Sequence, residues 1–396
     1  MRVLHLIYSF YRGGLESWLI SMLGEVSPES CRMDVCCMGP DTGPWAEQAE
    51  GLGACVFHIP LRPDHLGFYT GLRRVLKQEN YDLIHNHLGV YSGFPVWIAR
   101  NEGVPVITTF HNTDFTQASM WWLRLPILSQ LRNLYARLSI RYALEHTDIL
   151  SGVSQGVLNA MISGRTDLSR KSRVLYLGVR VPPVSCEAGK RSFRESLGFG
   201  PHSKLILHVG RFIEQKNHRG LLEVFRRLVN NFPDARLILI GEGPLKTVIR
   251  EMVESAGLDE FVRFLGLRDD VLDLMTKSDM FLLPSLHEGL PVVALEAQAA
   301  GLPVVGSRIP GLSEAVEEGT TALLHDVHDT DGMADSVLKL LRNPGSAEEL
   351  ARAGRERIQQ QFSLHAAAGR LLALYAELLA FQTASAEERA NRFVSE

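Results

Sequence analysis

The sequence predicts an α/β protein with two doubly wound, Rossmann-like domains that face a central cleft. Three observations lead to this fold class. The chain has 396 residues, too many for one ordinary hydrophobic core. Short apolar stretches alternate with longer helical patterns, which is typical of parallel sheets covered by helices on both faces. The alternation pauses near residue 180 and restarts after residue 203, so we expect the same architecture twice.

The first predicted domain spans residues 1–180. Its strand candidates are 2–8, 32–38, 54–59, 82–86, 105–110, 148–153 and 172–177. Helical patterns such as 15–26, 66–79 and 91–101 lie between them. Residues 181–203 are rich in Pro and Gly, which predicts a linker between domains.

The second predicted domain spans residues 204–362. Its strand candidates are 204–210, 236–240, 261–264, 279–283, 303–306 and 321–324. A C-terminal helix is expected over 363–382, and the polar residues 383–396 are expected to fray. In such folds a ligand binds at the carboxyl ends of the strands, so we expect the site in the cleft.

Charge and composition argue against nucleic-acid binding and against a membrane-spanning segment. The net charge is −4, whereas a protein that binds nucleic acid through its backbone needs a basic face. No apolar run is expected to reach membrane-spanning length. The start, MRVLHLIYSF, has no small-residue cleavage site and is interpreted as a first strand, not a signal peptide. These features predict a cytoplasmic protein.

The segment 281–317 carries the strongest functional signal. A strand is followed by Glu288-Gly289-Leu290, and Pro291 stands where a helix should begin. The N–H groups and dipole at that helix terminus suit a phosphate. Glu296 lies farther along the helix among apolar neighbours, where a carboxylate needs partners that ribose hydroxyls would supply. The alternative is a glutamate on a solvated face.

Two weaker signals involve loops after predicted strands. Arg211 ends one strand and Lys216 follows five residues later, so the two cations suit a diphosphate; an ordinary exposed basic loop is the alternative. Gly13 and Gly14 follow the first strand, where glycine lets the backbone approach an anion. A tight turn would explain the same pair.

Three histidines stand at the ends of neighbouring predicted strands, namely His85, His87 and His111. Strand ends of this kind face the ligand in doubly wound sheets. A structural hydrogen-bonding role is the alternative for each. Metal binding by His85 and His87 lacks an evident third ligand, so no metal site is predicted.

Glu288 and Glu296 are separated by seven residues, and this segment resembles the E-x7-E motif of retaining glycosyltransferase family 4, whose members have the GT-B fold. Further motifs resemble that family: GGLE at 13–16, TFHNT at 109–113, SGVSQGV at 151–157, HVGR with Lys216, and LILIGEGP at 237–244. The likeness covers nearly the whole chain, and the N-terminal half is most similar to exopolysaccharide and capsule enzymes. Leu177-Gly178 and Pro310-Gly311 depart from the family's usual Asn-Gly and Gly-Gly.

The resemblance implies a role for each motif residue. Arg211 and Lys216 would hold the diphosphate, Glu296 the ribose, and Glu288 the sugar hydroxyls. The amides of Gly289 and Leu290 would contact the donor. The Gly13-Gly14 backbone would approach the phosphate, and His111 would contact the transferred sugar.

The function that follows is a hexosyltransferase-type glycosyltransferase that uses a nucleoside-diphosphate sugar and acts in polysaccharide or glycolipid synthesis. No tightly bound cofactor or metal is expected. The acceptor would be a saccharide or a lipid-linked molecule, and no nucleic acid is expected as a partner. A sugar-nucleotide epimerase and a non-catalytic nucleotide-sugar-binding protein are the alternatives.

Two further hypotheses concern location and stereochemistry. Residues 116–142 combine Trp121, Trp122 and several leucines with four arginines and no acid. Such a helix suits peripheral contact with an anionic membrane at its inner face, or packing within the first domain. Retention of anomeric configuration is expected mainly because the resemblance is to a retaining family. The residues agree, since Glu16 and Asp114 are the only acids near the predicted loops of the first domain, and neither has a partner that would tune its pKa.

Overall fold

The computed structural model describes residues 1–11, 13–112 and 126–395. Within them the chain forms two compact units. One unit comprises Met1–Leu177 and Leu364–Glu396, and the other comprises Gly178–Ser363.

The first unit contains a parallel sheet of seven strands among its described residues. They are β1 (Arg2–Ile7), β2 (Arg32–Cys37), β3 (Val56–His58), β4 (Leu83–Asn86), β5 (Val106–Phe110), β6 (Ile149–Gly152) and β7 (Ser172–Val174). Their order in the sheet is β3-β2-β1-β4-β5-β6-β7. Each strand lies within its predicted stretch. The three strands β4, β5 and β6 are wholly buried, as expected for the interior of a sheet covered on both faces.

Helices connect these strands. They are α1 (Gly14–Glu25), α2 (Ala46–Gly51), α3 (His65–Glu79), α4 (Gly93–Asn101), α5 (Pro126–His146) and α6 (Gln155–Ile162). Helix α3 begins where the Asp64 side chain accepts a hydrogen bond of 2.8 Å from the Gly67 N–H, which satisfies a free donor at the helix start. Its Phe68 and Leu72 then pack against Leu4 and Leu6 of β1 in a common core cluster.

The second unit repeats this architecture with six parallel strands among its described residues. They are β8 (Lys204–Val209), β9 (Ala235–Ile240), β10 (Val262–Gly266), β11 (Met280–Leu283), β12 (Val304–Ser307) and β13 (Ala322–His325). Their order is β10-β9-β8-β11-β12-β13. The prediction of two Rossmann-like, parallel-sheet domains is therefore confirmed.

The helices of the second unit are α7 (Glu187–Ser196), α8 (His218–Asn231), α9 (Lys246–Ser255), α10 (Val271–Thr276), α11 (Val292–Ala299), α12 (Pro310–Ala315), α13 (Thr330–Arg342) and α14 (Pro344–Arg357). Helix α8 begins at Asn217, whose side chain accepts from the Gly220 N–H. Its Leu221 and Phe225 join Leu237 and Leu239 of β9 in the core of this unit.

Helix α7 lies inside the segment 181–203 that the sequence analysis interprets as a linker. Its buried Arg194 donates to both carboxylate oxygens of Asp279, at 3.2 Å each. Lys204 also lies 3.3 Å from this carboxylate. The charge network attaches the segment to the second unit, which begins at Gly178.

The last helix, α15 (Leu364–Ser395), belongs to the first unit. It continues through 383–395, where fraying was expected, because Ala, Glu and Arg dominate there and favour helix. Its segment Leu364–Ala384 is long and apolar enough to cross a membrane by length and composition alone, so the expectation that no run reaches that length is wrong. This is weak evidence for a span, since 33% of the segment is buried and core helices pass the same test.

Candidate active site

Each sheet reverses its strand order at one point, between β1 and β4 in the first unit and between β8 and β11 in the second. Ligands of doubly wound folds bind beyond the carboxyl ends of strands at such points. Arg211 and Lys216 follow β8, and Glu288 follows β11. The second unit therefore brings together two motifs that lie 72 residues apart in the sequence.

Lys216 and Glu288 form an ion pair at this switch point. The Lys216 Nζ lies 2.5 Å from the Glu288 Oε1, and both side chains are largely buried. Gln215 adds to the pair, because its Nε2 donates to the His287 carbonyl at 2.9 Å and to the Glu288 Oε2 at 3.4 Å. The loop after β8 is thus attached to the loop after β11.

Arg211 differs from Lys216 in being exposed. Its side chain makes no hydrogen bond or ion pair with any residue that the structure describes. A cation at the carboxyl edge of the sheet, without a protein counter-ion, is suited to an anionic ligand.

Glu296 lies on the short helix α11, in the second turn from its start. The side chain is half-buried, and no partner for its carboxylate is found among the described residues. Desolvation raises the pKa of Glu296 to about 7. A partly desolvated carboxylate that lacks hydrogen-bond donors among the described residues is suited to a ligand whose hydroxyl groups donate to it.

Close backbone approach explains the Pro310-Gly311 departure. Pro310 occupies the first turn of α12, where its missing N–H is tolerated. A Cβ atom on Gly311 would lie 2.4 Å from the Glu288 carbonyl oxygen and 2.5 Å from that of Gly289. The glycine that the chain keeps is therefore the one that lets α12 pack against the loop of Glu288, Gly289 and Leu290.

The glycine turn of the first unit precedes α1. Gly13 and Gly14 are exposed, and Gly13 is the N-cap residue. The Glu16 carboxylate folds back over it, so a Cβ atom on Gly13 would lie 2.3 Å from the Glu16 Oε2. Burial raises the pKa of Glu16 to about 7. The sequence analysis expected no partner that would tune this pKa, and the cause of the shift is desolvation, not a charged partner. Asp114 and Arg12 lie outside the described residues.

The predicted histidines lie together at the carboxyl side of β4 and β5. The His87 Nδ1 is 3.0 Å from the His111 Nε2. The His85 Nε2 is 2.6 Å from the Thr109 Oγ1, and its Nδ1 is 2.8 Å from the Tyr375 hydroxyl. The structure therefore joins residues at the ends of two strands to the last helix.

A fourth histidine, which the sequence analysis missed, completes this cluster. The His5 Nδ1 is 3.1 Å from the His87 Nε2, and the His5 Nε2 is 3.3 Å from the Tyr375 hydroxyl. His5 pairs in register with His85 across β1 and β4. Sequence could not reveal this, because β1 and β4 are neighbours only through the crossover order of the sheet.

Burial keeps this cluster uncharged. Desolvation lowers the pKa of His5 to about 3 and that of His111 to about 4. It lowers the pKa of His85 and His87 well below the usual value, and the neighbouring rings add to this effect. At neutral pH all four rings therefore carry one proton each.

His5, His85 and His87 also satisfy a loose geometric test for a metal site, with ligand atoms within 4.8 Å of one another. One divalent ion bonded to imidazole nitrogens at about 2.1 Å would hold any two of them within about 4.2 Å. The nitrogens are moreover already hydrogen-bonded to one another or to hydroxyl groups. The arrangement fits a hydrogen-bonded cluster better than a metal site.

Two family descriptions match the chain. "Glycosyl transferases group 1" matches residues 189–357, and "Glycosyl transferase 4-like domain" matches residues 21–178. HepE of Anabaena, whose crystal structure contains UDP, has a TM-score of 0.81 and is 20% identical over 95% of this chain and 100% of HepE. This likeness confirms the fold.

Three relatives are similar in sequence to this chain over more than two thirds of their length. EpsF of Bacillus subtilis, whose name marks it as a provisional glycosyltransferase, is 30% identical over 80% of this chain and 81% of EpsF. The N-acetyl-alpha-D-glucosaminyl L-malate synthase of Bacillus anthracis is 28% identical over 78% and 77%. The UDP-Gal:alpha-D-GlcNAc-diphosphoundecaprenol alpha-1,3-galactosyltransferase of Escherichia coli is 27% identical over 68% of each chain. The chain therefore belongs to glycosyltransferase family 4 and is a glycosyltransferase of the GT-B fold.

Proposed function

We propose that this protein transfers a hexose from a UDP-sugar, and that the nucleotide binds at the switch point of the second unit. The arrangement of charge there supports this most directly. Among the residues that the structure describes, the exposed Arg211 has no counter-ion and the half-buried Glu296 has no hydrogen-bond donor, which makes them complementary to a diphosphate and to ribose hydroxyls. Lys216 and Glu288, which form an ion pair, would both contact the donor, with the cation on phosphate and the carboxylate on the sugar.

One further loop would complete the donor site of the second unit. The backbone N–H groups of Gly289 and Leu290, just before α11, would contact the donor phosphate or sugar. For the first unit by itself, the proposed roles are phosphate contact by the exposed Gly13 and Gly14 backbone, and sugar contact by His111. The uridine base is supported by the crystal structure of HepE, which contains UDP, and by the galactosyltransferase relative, whose name includes UDP-Gal.

The test is a panel of UDP, ADP and GDP sugars in thermal unfolding and calorimetry. A UDP-sugar at 100 times its dissociation constant should add about 2.7 kcal/mol to the free energy of unfolding. ADP and GDP sugars should give less. Equal stabilisation by all three would contradict the uridine assignment, and stabilisation by none would contradict the donor site.

We further propose that the sugar is transferred with retention of configuration. An inverting enzyme needs a general base to deprotonate the acceptor. Glu16, with its raised pKa, has the acidity of such a base, but its carboxylate is folded against the start of α1. Proton NMR of the first-formed product decides the matter. An α-linked donor should give an α-linked product, whereas a β-linked product that disappears in Glu16→Gln would establish inversion with Glu16 as base.

The proposed acceptor is lipid-linked, and the enzyme would meet it while bound peripherally at the inner, cytoplasmic face of the membrane. The name of the galactosyltransferase relative includes diphosphoundecaprenol. On α5, the exposed Leu134 and Leu138 lie one turn apart, next to the exposed Arg137 and Arg141, a composition suited to an anionic lipid surface. The other expected anchors, Trp121 and Trp122, lie outside the described residues.

Vesicle sedimentation tests this proposal. The protein should sediment with vesicles of anionic phospholipid at low salt and not with neutral vesicles. Leu134→Ser with Leu138→Ser should weaken this binding, whereas Leu66→Ser, at an exposed leucine of α3, should not. Equal binding by the two variants would rule out α5 as the contact surface.

A further inference from the structure

Among the described residues, the side chains of the histidine cluster form one unbranched chain of hydrogen bonds, which we call the histidine relay. Its members in order are Thr109, His85, Tyr375, His5, His87 and His111. The successive distances between donor and acceptor atoms are 2.6, 2.8, 3.3, 3.1 and 3.0 Å. Every member except His111 is fully or nearly fully buried.

The chemistry of a neutral imidazole makes this relay directional. Each neutral ring has one N–H donor and one bare nitrogen that accepts. His85, His5 and His87 each use both ring nitrogens inside the relay. Tyr375 donates its one hydroxyl proton to one of its two histidine neighbours and accepts from the other, because the buried proton has no further partner among the described residues. The direction of any one hydrogen bond therefore sets the direction of the next, and two arrangements of the relay use the Tyr375 proton.

In the first arrangement, Thr109 donates to the His85 Nε2, and every later bond points the same way. Each histidine, including His111, then carries its proton on Nδ1. In the second arrangement all bonds are reversed, so that Thr109 accepts and each ring carries its proton on Nε2. His111 would then present a bare Nδ1, which is a base.

Thr109 decides between the two arrangements. Its buried hydroxyl makes one hydrogen bond within the described chain, with the His85 Nε2. As a donor it uses its proton in that bond. As an acceptor it would leave the proton buried without a partner, which is the costly state for a hydroxyl group.

We propose that the histidine relay, fixed by the Thr109 hydroxyl and transmitted by Tyr375, holds His111 as a neutral ring with its proton on Nδ1. His111 can then donate a hydrogen bond through Nδ1, but it cannot accept a proton there. Thr109 and Tyr375 are positioning residues for His111. This deepens the proposed function and rests on it, because a donor at this position agrees with retention and excludes His111 as the general base of an inverting reaction.

Nuclear magnetic resonance of the ligand-free full chain, labelled with 15N in its histidine rings, tests the proposal without any transfer assay. His111→Gln and the equivalent changes at His5, His85 and His87 assign the four signals. Each relay histidine should show its proton on Nδ1 at neutral pH, although free neutral histidine favours Nε2. Protons on Nε2 would overturn the proposal. So would ring signals that shift when zinc is added or when EDTA removes a metal, since they would establish a metal site.

Two neighbouring threonines provide a matched pair of variants. Thr109→Val removes the hydroxyl that sets the direction, so His111 should move partly or wholly to the Nε2 tautomer, and Thr109→Ser should restore Nδ1. Thr108, next to it on β5, is equally buried and its hydroxyl pairs with Thr147 at 2.9 Å. Thr108→Val should leave the His111 tautomer unchanged. The same spectrum for both valine variants would overturn the proposal.

Tyr375→Phe is the second test and cuts the relay in its middle. His5, His87 and His111 then lose the donor that orders them, so His111 should become a mixture of tautomers. Tyr81→Phe is the control, because it removes another buried hydroxyl of the same unit, one that donates to Asp34 at 2.8 Å. If Tyr375→Phe leaves His111 with its proton wholly on Nδ1, the relay does not set the tautomer. Because the readout is spectroscopic, failure of the proposed transfer reaction would leave this result standing.

Discussion

The two units place opposite kinds of polar side chain at their switch points. In the first unit, buried histidines are neutral and satisfy one another. In the second, Arg211 and Glu296 are charged or readily charged and have no partner among the described residues. Self-satisfied groups hold a fixed geometry, whereas unsatisfied groups favour a ligand that supplies what they lack. The switch point of the first unit is therefore suited to holding side chains in a fixed orientation, and that of the second unit is suited to binding a ligand.

The largest expected effect comes from the cations of the second unit. Arg211→Ala and Lys216→Ala should each lower kcat/KM roughly 100- to 1,000-fold, because negative charge grows on the leaving diphosphate. They should differ in stability. Lys216→Ala leaves the buried Glu288 carboxylate without its cation and should lower the free energy of unfolding by about 3 kcal/mol. Arg211→Ala should lower it little, because Arg211 is exposed.

Steady-state kinetics and chemical denaturation measure the two effects separately. Arg219→Ala removes an exposed cation of α8 and is the charge-matched control, with near-native kinetics expected. If Arg211→Ala and Arg219→Ala are equally active, the assignment of Arg211 to the donor diphosphate is wrong.

The next effect concerns Glu296 and pH. Donor hydroxyls should favour the ionised carboxylate by about 1.5–3 kcal/mol, so nucleotide affinity should rise as the pH increases through about 7. Stability of the free protein should change in the opposite sense. A folded-state pKa above the unfolded value means that the folded protein binds more protons in this range. The free energy of unfolding therefore falls as the pH rises from about 4.5 to 7.

Glu296→Gln should abolish the pH dependence of affinity and reduce that of stability, where Glu16 keeps its own contribution. Calorimetric titrations with UDP at pH 6 and pH 8 would measure the binding part. Glu16→Gln provides a control with a similarly raised pKa in the first unit. A pH dependence of UDP affinity that survives Glu296→Gln would assign it to another group.

The smallest expected difference comes from two glycines with similar clashes. A Cβ atom on Gly311 would meet backbone carbonyl oxygens at 2.4 and 2.5 Å, and one on Gly13 would meet the end of the Glu16 side chain at 2.3 Å. Backbone cannot move aside easily, so Gly311→Ala should cost about 1–3 kcal/mol of unfolding free energy and weaken UDP binding. Gly13→Ala should cost less, because Glu16 can rotate away. Thermal unfolding of both variants tests the order, and a larger loss for Gly13→Ala would contradict it.

Sequence alone was sufficient for the strands and the switch-point loops of the second unit. Alternating apolar stretches identify β8 and β11, and the residues after them carry chemistry that belongs together wherever the strands are neighbours. It was insufficient for the histidine relay. Its members come from strands whose adjacency depends on the crossover order, and from Tyr375, which is 290 residues from His85.

Helix α7 was missed for a related reason. Pro and Gly around it resemble a linker, and the partner that holds it, Asp279, is 85 residues from Arg194. A helix is easily predicted from sequence when its apolar residues recur at helical spacing. Helix α7 is instead attached to the second unit through the ion pairs of Arg194 and Lys204 with Asp279.

The return of α15 to the first unit has a consequence for synthesis on the ribosome. Residues 178–363 form the second unit from one continuous stretch, so it can fold as soon as that stretch emerges. The first unit starts to emerge earlier, yet Tyr375 and the rest of α15 reach it last. Domains of nascent chains generally fold in order from the N-terminus, but here the unit that is translated first is the one completed last, and until then His5 and His85 lack the hydroxyl that links them.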